Sequence, residues 1–228
     1  MSKKSNFWMI PGLFFLVAAA LNLYGKMNME LLANYVKPAL LPLLAVTTVA
    51  AAGGMEHRNV RLLVLAQLLG CTGDVFLLFN GFLPFVGGMA AFLLGHLCYI
   101  TLFGGQSWKK MGLKVWIPAL LVMGGAFFGL VKLIGIEGDL LIPMCVYGMV
   151  LMLLIFSGLC GLFRMRKGDG AWGMITLGAL LFTFSDGLIA VGTFSEQPAA
   201  WIPVTIMATY LAAQALLAAG GLRLKDSR

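Results

Sequence analysis

Eight apolar runs, each long enough to cross a bilayer, fill this chain. They cover about 7–24, 35–53, 60–79, 83–104, 113–133, 140–163, 171–194 and 199–222. A hydrocarbon core of roughly 30 Å takes about 20 residues of helix to span. Composition agrees: 61% of the 228 residues are hydrophobic and only 11% are charged, against about 25% charged in a soluble domain. The expected fold is all-α and integral to the membrane, with eight transmembrane helices in one bundle forming a single domain over 1–228. The connections GKMNME (25–30), GGMEHRN (53–59), NG (80–81), QSWKKMG (106–112), GIEGD (135–139), RMRKGDG (164–170) and SEQP (195–198) are too short to fold alone. Any chemistry therefore has to take place among the helices.

The net charge of +7 is explained by topology, not by nucleic-acid binding. Alternate connections hold Lys3 and Lys4; Arg58 and Arg61; Lys109, Lys110 and Lys114; Arg164, Arg166 and Lys167; and Arg223, Lys225 and Arg228. The other side holds only Lys26, Lys37 and Lys132. The positive-inside rule then places both termini in the cytoplasm, and an even number of spans agrees with both lying on one side. The opening MSKKSN followed by an apolar run and Ala18-Ala19-Ala20 imitates a signal peptide. The run continues to Tyr24, however, and the charge pattern needs a retained span there.

Against this background the stretch GCTGDVFLLFN (70–80) is anomalous. A carboxylate such as Asp74 near the middle of a membrane helix costs at least about 2.5–3.5 kcal/mol on insertion scales. At about 1.5 Å of rise per residue, Asp74 lies roughly 9 Å below the outer edge and Asp186 roughly 12 Å below it. His96 lies roughly 16–18 Å down, with Tyr210 at a similar level. Lys37, Asn22 and Tyr24 sit nearer the outer mouth. Together these groups are expected to line one pocket opening to the outer half of the bilayer. Lys37-Pro38, with Pro42 following, frees backbone groups at the start of its helix. The Lys37 ammonium either snorkels to the interface or holds a phosphate headgroup.

The segments LAQLLGCTGD (65–74) and LGALLFTFSD (177–186) align Asp on Asp, and W-x-x-P at Trp8 resembles W-x-P at Trp116. Tyr99 and Tyr210 follow the two aspartates at nearly equal spacing. This points to a 4+4 parallel repeat about an axis along the membrane normal, with Asp74 and Asp186 at equivalent places. Two acids in one dry pocket do not ionise independently, so one tends to keep a proton while the other is charged. That is a general acid beside a general base. The alternative is structural, each acid pairing with Lys37, His96 or backbone groups.

Other chemistries find little support. One His and two Asp on separate helices make a poor zinc set, so no metal or other cofactor is expected. No G-x-S-x-G occurs, and Ser157 and Ser185 lack an evident base. Cys71, Cys98, Cys145 and Cys160 all fall in apolar runs without a C-x-x-C and read as reduced core residues. The many glycines read as small-residue packing between helices, and nothing specifies an oligomeric state.

The ordered set KPALLP (37–42), GDVFLL (73–78), GMAAFLLGHLCY (88–99), FSDGLIA (184–190) and YLAAQAL (210–216) resembles the YhhN-type family of membrane proteins, whose eukaryotic members are lysoplasmalogenases. The resemblance implies an eight-helix bundle that hydrolyses the vinyl ether bond of lysoplasmalogens. The products would be a fatty aldehyde and glycerophosphoethanolamine or glycerophosphocholine, and the family's proposed catalytic acids fall on Asp74 and Asp186. On that basis Lys37, with Asn22 and Tyr24, would hold the phosphate, and His96, Tyr99, Tyr210 and Gln214 would orient the acids and water. The partners would be a lysophospholipid substrate and membrane lipid. The short loops and compact bundle point to a bacterial inner (plasma) membrane, with the endoplasmic reticulum as the alternative. Paired buried acids and a repeat also describe a proton-coupled small-molecule or lipid transporter. A lipid-binding scaffold is a third, non-catalytic option.

Overall fold

The computed structural model describes the chain except residues 1–5, 109–116, 119–120, 123, 126–127, 130–137, 164–169, 196, 198 and 225–228. Among the described residues it is entirely helical, with seven helices long and apolar enough to cross a membrane. They are α1 (Met9–Asn28), α2 (Glu30–Ala52), α3 (Arg58–Phe76), α4 (Phe82–Ser107), α5 (Leu141–Phe163), α6 (Ala171–Phe194) and α7 (Ile202–Arg223). The protein is a multi-pass membrane protein. The span expected over 113–133 lies largely outside the described residues, though those described within it are helical. The basic residues Lys3, Lys4, Lys109, Lys110, Lys114, Lys132, Arg164, Arg166, Lys167, Lys225 and Arg228 also lie outside them, as does Trp116.

One connection differs from expectation. GKMNME does not form a loop, because α1 continues to Asn28 and α2 begins at Glu30, leaving Met29 alone between them. Met29 takes an extended conformation, and its N–H still reaches the Gly25 carbonyl at 2.8 Å. The hairpin is this tight because Gly25 lacks a side chain: a Cβ there would stand 2.6 Å from the Ala33 nitrogen. Asn22, fully buried, donates from Nδ2 to the Ala33 carbonyl at 2.8 Å and pins the same crossing. Lys26 and Glu30 consequently sit on either side of the break, Lys26 in the last turn of α1 and Glu30 at the start of α2.

Each described helix packs against its described neighbour in sequence, and α7 also touches α1, α2 and α3. That places α7 inside, where it closes the bundle. Small residues permit the approach: a Cβ on Gly220 of α7 would lie 2.9 Å from the Ala171 carbonyl of α6. In a bilayer, such van der Waals packing takes over from hydrophobic exclusion. The outward surface is correspondingly apolar, with Leu13, Phe14 and Leu16 of α1 all exposed. The interior holds the polar residues, including Asn22, Gln67, Asp74, His96, Asp186 and Gln214. Gln67 donates to Thr48 at 3.0 Å, which offsets the cost of burying both.

Proline shapes α2. Pro42 has no N–H, so the carbonyl of Pro38 four residues earlier loses its helical donor. The Cys71 thiol of α3 takes that place, with Sγ 3.3 Å from the Pro38 oxygen. This cross-helix contact seats Pro38, beside Lys37, against α3 three residues before Asp74.

Candidate active site

Asp74 is held from two helices. Lys37 of α2 brings Nζ to 3.2 Å from its Oδ1. Tyr210 of α7 donates its hydroxyl to Oδ2 at 2.8 Å. Gly70, one turn before Asp74, makes room: a Cβ there would lie 2.7 Å from Leu41 Cδ1, 3.1 Å from the Tyr210 hydroxyl and 3.2 Å from Gln214 Nε2. Behind Tyr210, Tyr99 of α4 donates to Gln214 Oε1 at 2.5 Å. A buried polar chain thus runs through α2, α3, α7 and α4.

Asp186 of α6 has a different setting. Tyr147 of α5 donates its hydroxyl to Asp186 Oδ2. His96 of α4 stands on the other side, with Nε2 4.0 Å from the same oxygen, beyond hydrogen-bond reach. The His96 ring is fully buried, and neither nitrogen completes a hydrogen bond with a protein group, though the Phe92 backbone one turn earlier lies close by. Aromatic edges fix its plane: Tyr147 at 5.5 Å and Phe182 at 4.4 Å between centroids.

Phe182 joins the halves. It meets His96 on one side and Tyr210 at 5.3 Å on the other, while Phe92 also contacts Tyr210 at 6.0 Å. The two carboxyl groups are close enough for their charges to act on one another. Asp186 and Tyr147 border a cavity of about 50 Å³ whose remaining wall is apolar, including Leu77, Phe85, Phe92 and Met144. A wider recess of about 490 Å³ adjoins it, sharing Leu77, Phe85 and Ile189, and carries Lys26, Lys37, Asn80 and Thr193. Asp74 borders neither space directly and lies behind Lys37.

The structure therefore gathers Asp74, Asp186, Lys37, His96, Tyr99, Tyr210 and Gln214 in one network. It does not bring Asn22 or Tyr24 there: Asn22 serves the α1–α2 crossing, and Tyr24 is 58% exposed on the surface of α1. Three participants were not singled out from sequence. Tyr147 lies in an apolar run whose pairing with α6 no local pattern announces. Phe182 reads as ordinary core. Lys26 was counted only as a topological charge. Among the described residues, no three His, Cys, Asp or Glu side chains converge.

A lysine ammonium, three phenols, an imidazole and two carboxyls enclosed by apolar walls can donate a proton, stabilise a positive charge and hold a water. Comparison with known proteins gives this network a context. A human protein named lysoplasmalogenase TMEM86B is 37% identical over 163 residues, covering 72% of this chain and 64% of its own length. Its pig counterpart is 32% identical over 180 residues, covering 79% of this chain and 70% of its own length. A lysoplasmalogenase of Mycobacterium tuberculosis is 32% identical over 189 residues, covering 81% and 68%. This chain thus spans somewhat less than two thirds of the human relative. No solved structure matches it. The sequence profile of the YhhN family matches residues 32–221, which include every member of the network except its peripheral Lys26, and the chain belongs to that family.

Proposed function

We propose that this protein is a lysoplasmalogenase-like hydrolase that cleaves the vinyl ether of an alkenyl-glycerophosphoethanolamine or -choline without a metal or cofactor. The observation that carries this is the asymmetric pair of buried acids. Asp74 faces a lysine ammonium, whereas Asp186 faces a phenol and aromatic rings on the edge of a cavity. A cation beside an acid favours its charged form. Asp74 is accordingly the standing carboxylate, and Asp186 the group that delivers a proton.

In this mechanism the alkenyl chain lies along the apolar wall with its double bond beside Asp186. The Asp186 carboxyl transfers its proton to the β-carbon, and the α-carbon becomes an oxocarbenium ion. The Asp74 carboxylate stabilises that cation through the dry interior. A water held by His96 adds to the α-carbon and gives up a proton, forming a hemiacetal and leaving one acid protonated. The hemiacetal O–H then passes its proton to the free carboxylate as the C–O bond to glycerol breaks, and the glycerol oxygen takes a proton from the acid, so the pair again holds one proton. One water is consumed, and a fatty aldehyde and a glycerophospho-base leave. Tyr147 aims the Asp186 carboxyl, and Tyr210 with Gln214 and Tyr99 holds Asp74. Lys37, at the boundary between Asp74 and the wider recess, faces the substrate phosphate.

We also propose that the chain forms one domain of eight spans over 1–228 with both termini cytoplasmic, in a bacterial plasma membrane, built as a 4+4 parallel repeat. The acid partners support the repeat. Lys37 and Tyr147 come from equivalent helices under the Asp74–Asp186 alignment, and so do His96 and Tyr210. Each acid is then held once by its own half and once by the other. The test is aldehyde release from a lysoplasmalogen by purified protein in detergent. A hydrolase turns over there, whereas a transporter acts only across a sealed membrane. No aldehyde from any lysoplasmalogen would overturn the proposal.

A further inference from the structure

The wider recess has two cations on its wall and no acid among its lining residues. Their situations differ. Lys37 is committed: its side chain is 11% exposed, that of Asp74 is 4% exposed, and they stand 3.2 Å apart. Lys26 is not. Its Nζ is 3.7 Å from Glu30 Oε1 and 3.3 Å from Asn34 Oδ1, and the Glu30 side chain is 78% exposed. An ion pair this long, with one partner in open solvent, contributes little and exchanges readily. The Lys26 side chain itself is only 15% exposed and lines the recess, so most of it is withdrawn from water. Lys26 and Lys37 are also near enough for their charges to repel. An anion between them relieves that repulsion, and Lys37 cannot turn fully to it without leaving Asp74 uncompensated.

The order of charges has a direct complement. From the recess outward it runs Lys26, positive, then Glu30, negative. A phosphoethanolamine or phosphocholine headgroup runs phosphate, negative, then amine, positive, with the nitrogen two carbons beyond the ester oxygen. A bare phosphate headgroup offers nothing to Glu30 and is repelled by it. The hairpin fixes this register, because Met29 is the sole residue between α1 and α2 and the close contact at Gly25 leaves it no slack.

We propose that Lys26 and Glu30 complete the headgroup site, Lys26 taking the phosphate from the side opposite Lys37 and Glu30 the amine, so that these two residues make the protein prefer zwitterionic over purely anionic lysolipids. This rests on the lysolipid substrate and headgroups proposed above and adds the residues that read them. The recess adjoins the Asp186 cavity through Leu77, Phe85 and Ile189, so a headgroup held there leaves the glycerol ether pointing at the acid.

The test measures binding rather than turnover. Saturated alkyl-ether lysolipids, which have no vinyl ether to cleave, are titrated onto the purified full chain in detergent, one with a phosphoethanolamine headgroup and one with a bare phosphate. Wild type is expected to prefer the former. Lys26→Met should weaken both at least about tenfold, as the loss of one charge-assisted contact, and Lys26→Arg should restore most of it. Glu30→Gln should erase the preference by weakening the zwitterionic ligand about threefold to tenfold while leaving the bare phosphate equal or tighter. Affinities of Lys26→Met and Glu30→Gln within twofold of wild type for both ligands would overturn the proposal, as would a wild type without preference. A protein that shows the expected binding but releases no aldehyde from a lysoplasmalogen contradicts the hydrolase reading alone. One that hydrolyses while ignoring both substitutions contradicts the headgroup site alone.

Discussion

Lys37 and Tyr147 make corresponding contacts to different acids. Lys37, on α2, bonds Asp74 of α3, and Tyr147, on α5, bonds Asp186 of α6. Each acid also has a neighbour from a third helix, Tyr210 on Asp74 and His96 beside Asp186. What differs is charge. One acid receives an ammonium and a phenol, and the other a phenol and an imidazole that stops at 4.0 Å. The two buried carboxyls thus sit in chemically unlike settings.

The Lys37–Asp74 pair is buried, so breaking it from the lysine side should be costly. Removing one partner of a buried ion pair typically destabilises by about 3–5 kcal/mol. Lys37→Met should lower the melting temperature in detergent markedly, and Lys37→Met/Asp74→Asn should recover most of the loss, because no lone charge remains. A double variant no more stable than the single one would contradict the pairing.

Tyr147→Phe removes the hydroxyl that donates to Asp186 and leaves the ring in place. Losing a hydrogen bond to a charged or polarised group is worth about 1.5–3 kcal/mol. If the bond aims the carboxyl in the transition state, kcat falls about tenfold to a hundredfold with KM nearly unchanged. A shift confined to KM would instead make Tyr147 part of the wall.

Gly70→Ala should act at a distance through Tyr210. The new Cβ would stand 2.7 Å from Leu41 Cδ1 and 3.1 Å from the Tyr210 hydroxyl, and the leucine tip yields more easily than a tyrosine fixed by three neighbours. Overpacking of this kind costs about 1–3 kcal/mol, and turnover should fall about tenfold as the Tyr210–Asp74 bond lengthens. Gly105→Ala, at a glycine with nothing within 4 Å, is the control and should change nothing. Equal effects at both positions would show that helix glycine itself matters, not this contact.

The sequence exposed some of this architecture and hid the rest for physical reasons. Apolar run length located the seven described helices within a few residues, because the bilayer demands that length locally. The two acids stood out because a charge in such a run is expensive and visible. Their partners were partly legible: Lys37, His96 and Tyr210 are polar residues in apolar surroundings. Tyr147 was not, since a tyrosine in a membrane helix is ordinary until its hydroxyl finds a partner 39 residues away. Asn22 misled for the opposite reason. Its depth matched the site, but its amide turns to the Ala33 carbonyl, a backbone need that position along the chain does not reveal. The α1–α2 hairpin was read as a loop because Gly, Asn and charges usually mark one, whereas here Gly25 allows the helices to meet.

The most direct measurement is aldehyde release from a lysoplasmalogen by purified Asp186→Asn protein in detergent, beside wild type of equal thermal stability. If Asp186 delivers the proton, turnover falls by about 10²–10⁴-fold while the saturated analogue still binds. A stable, correctly inserted Asp186→Asn protein with wild-type turnover would contradict the account.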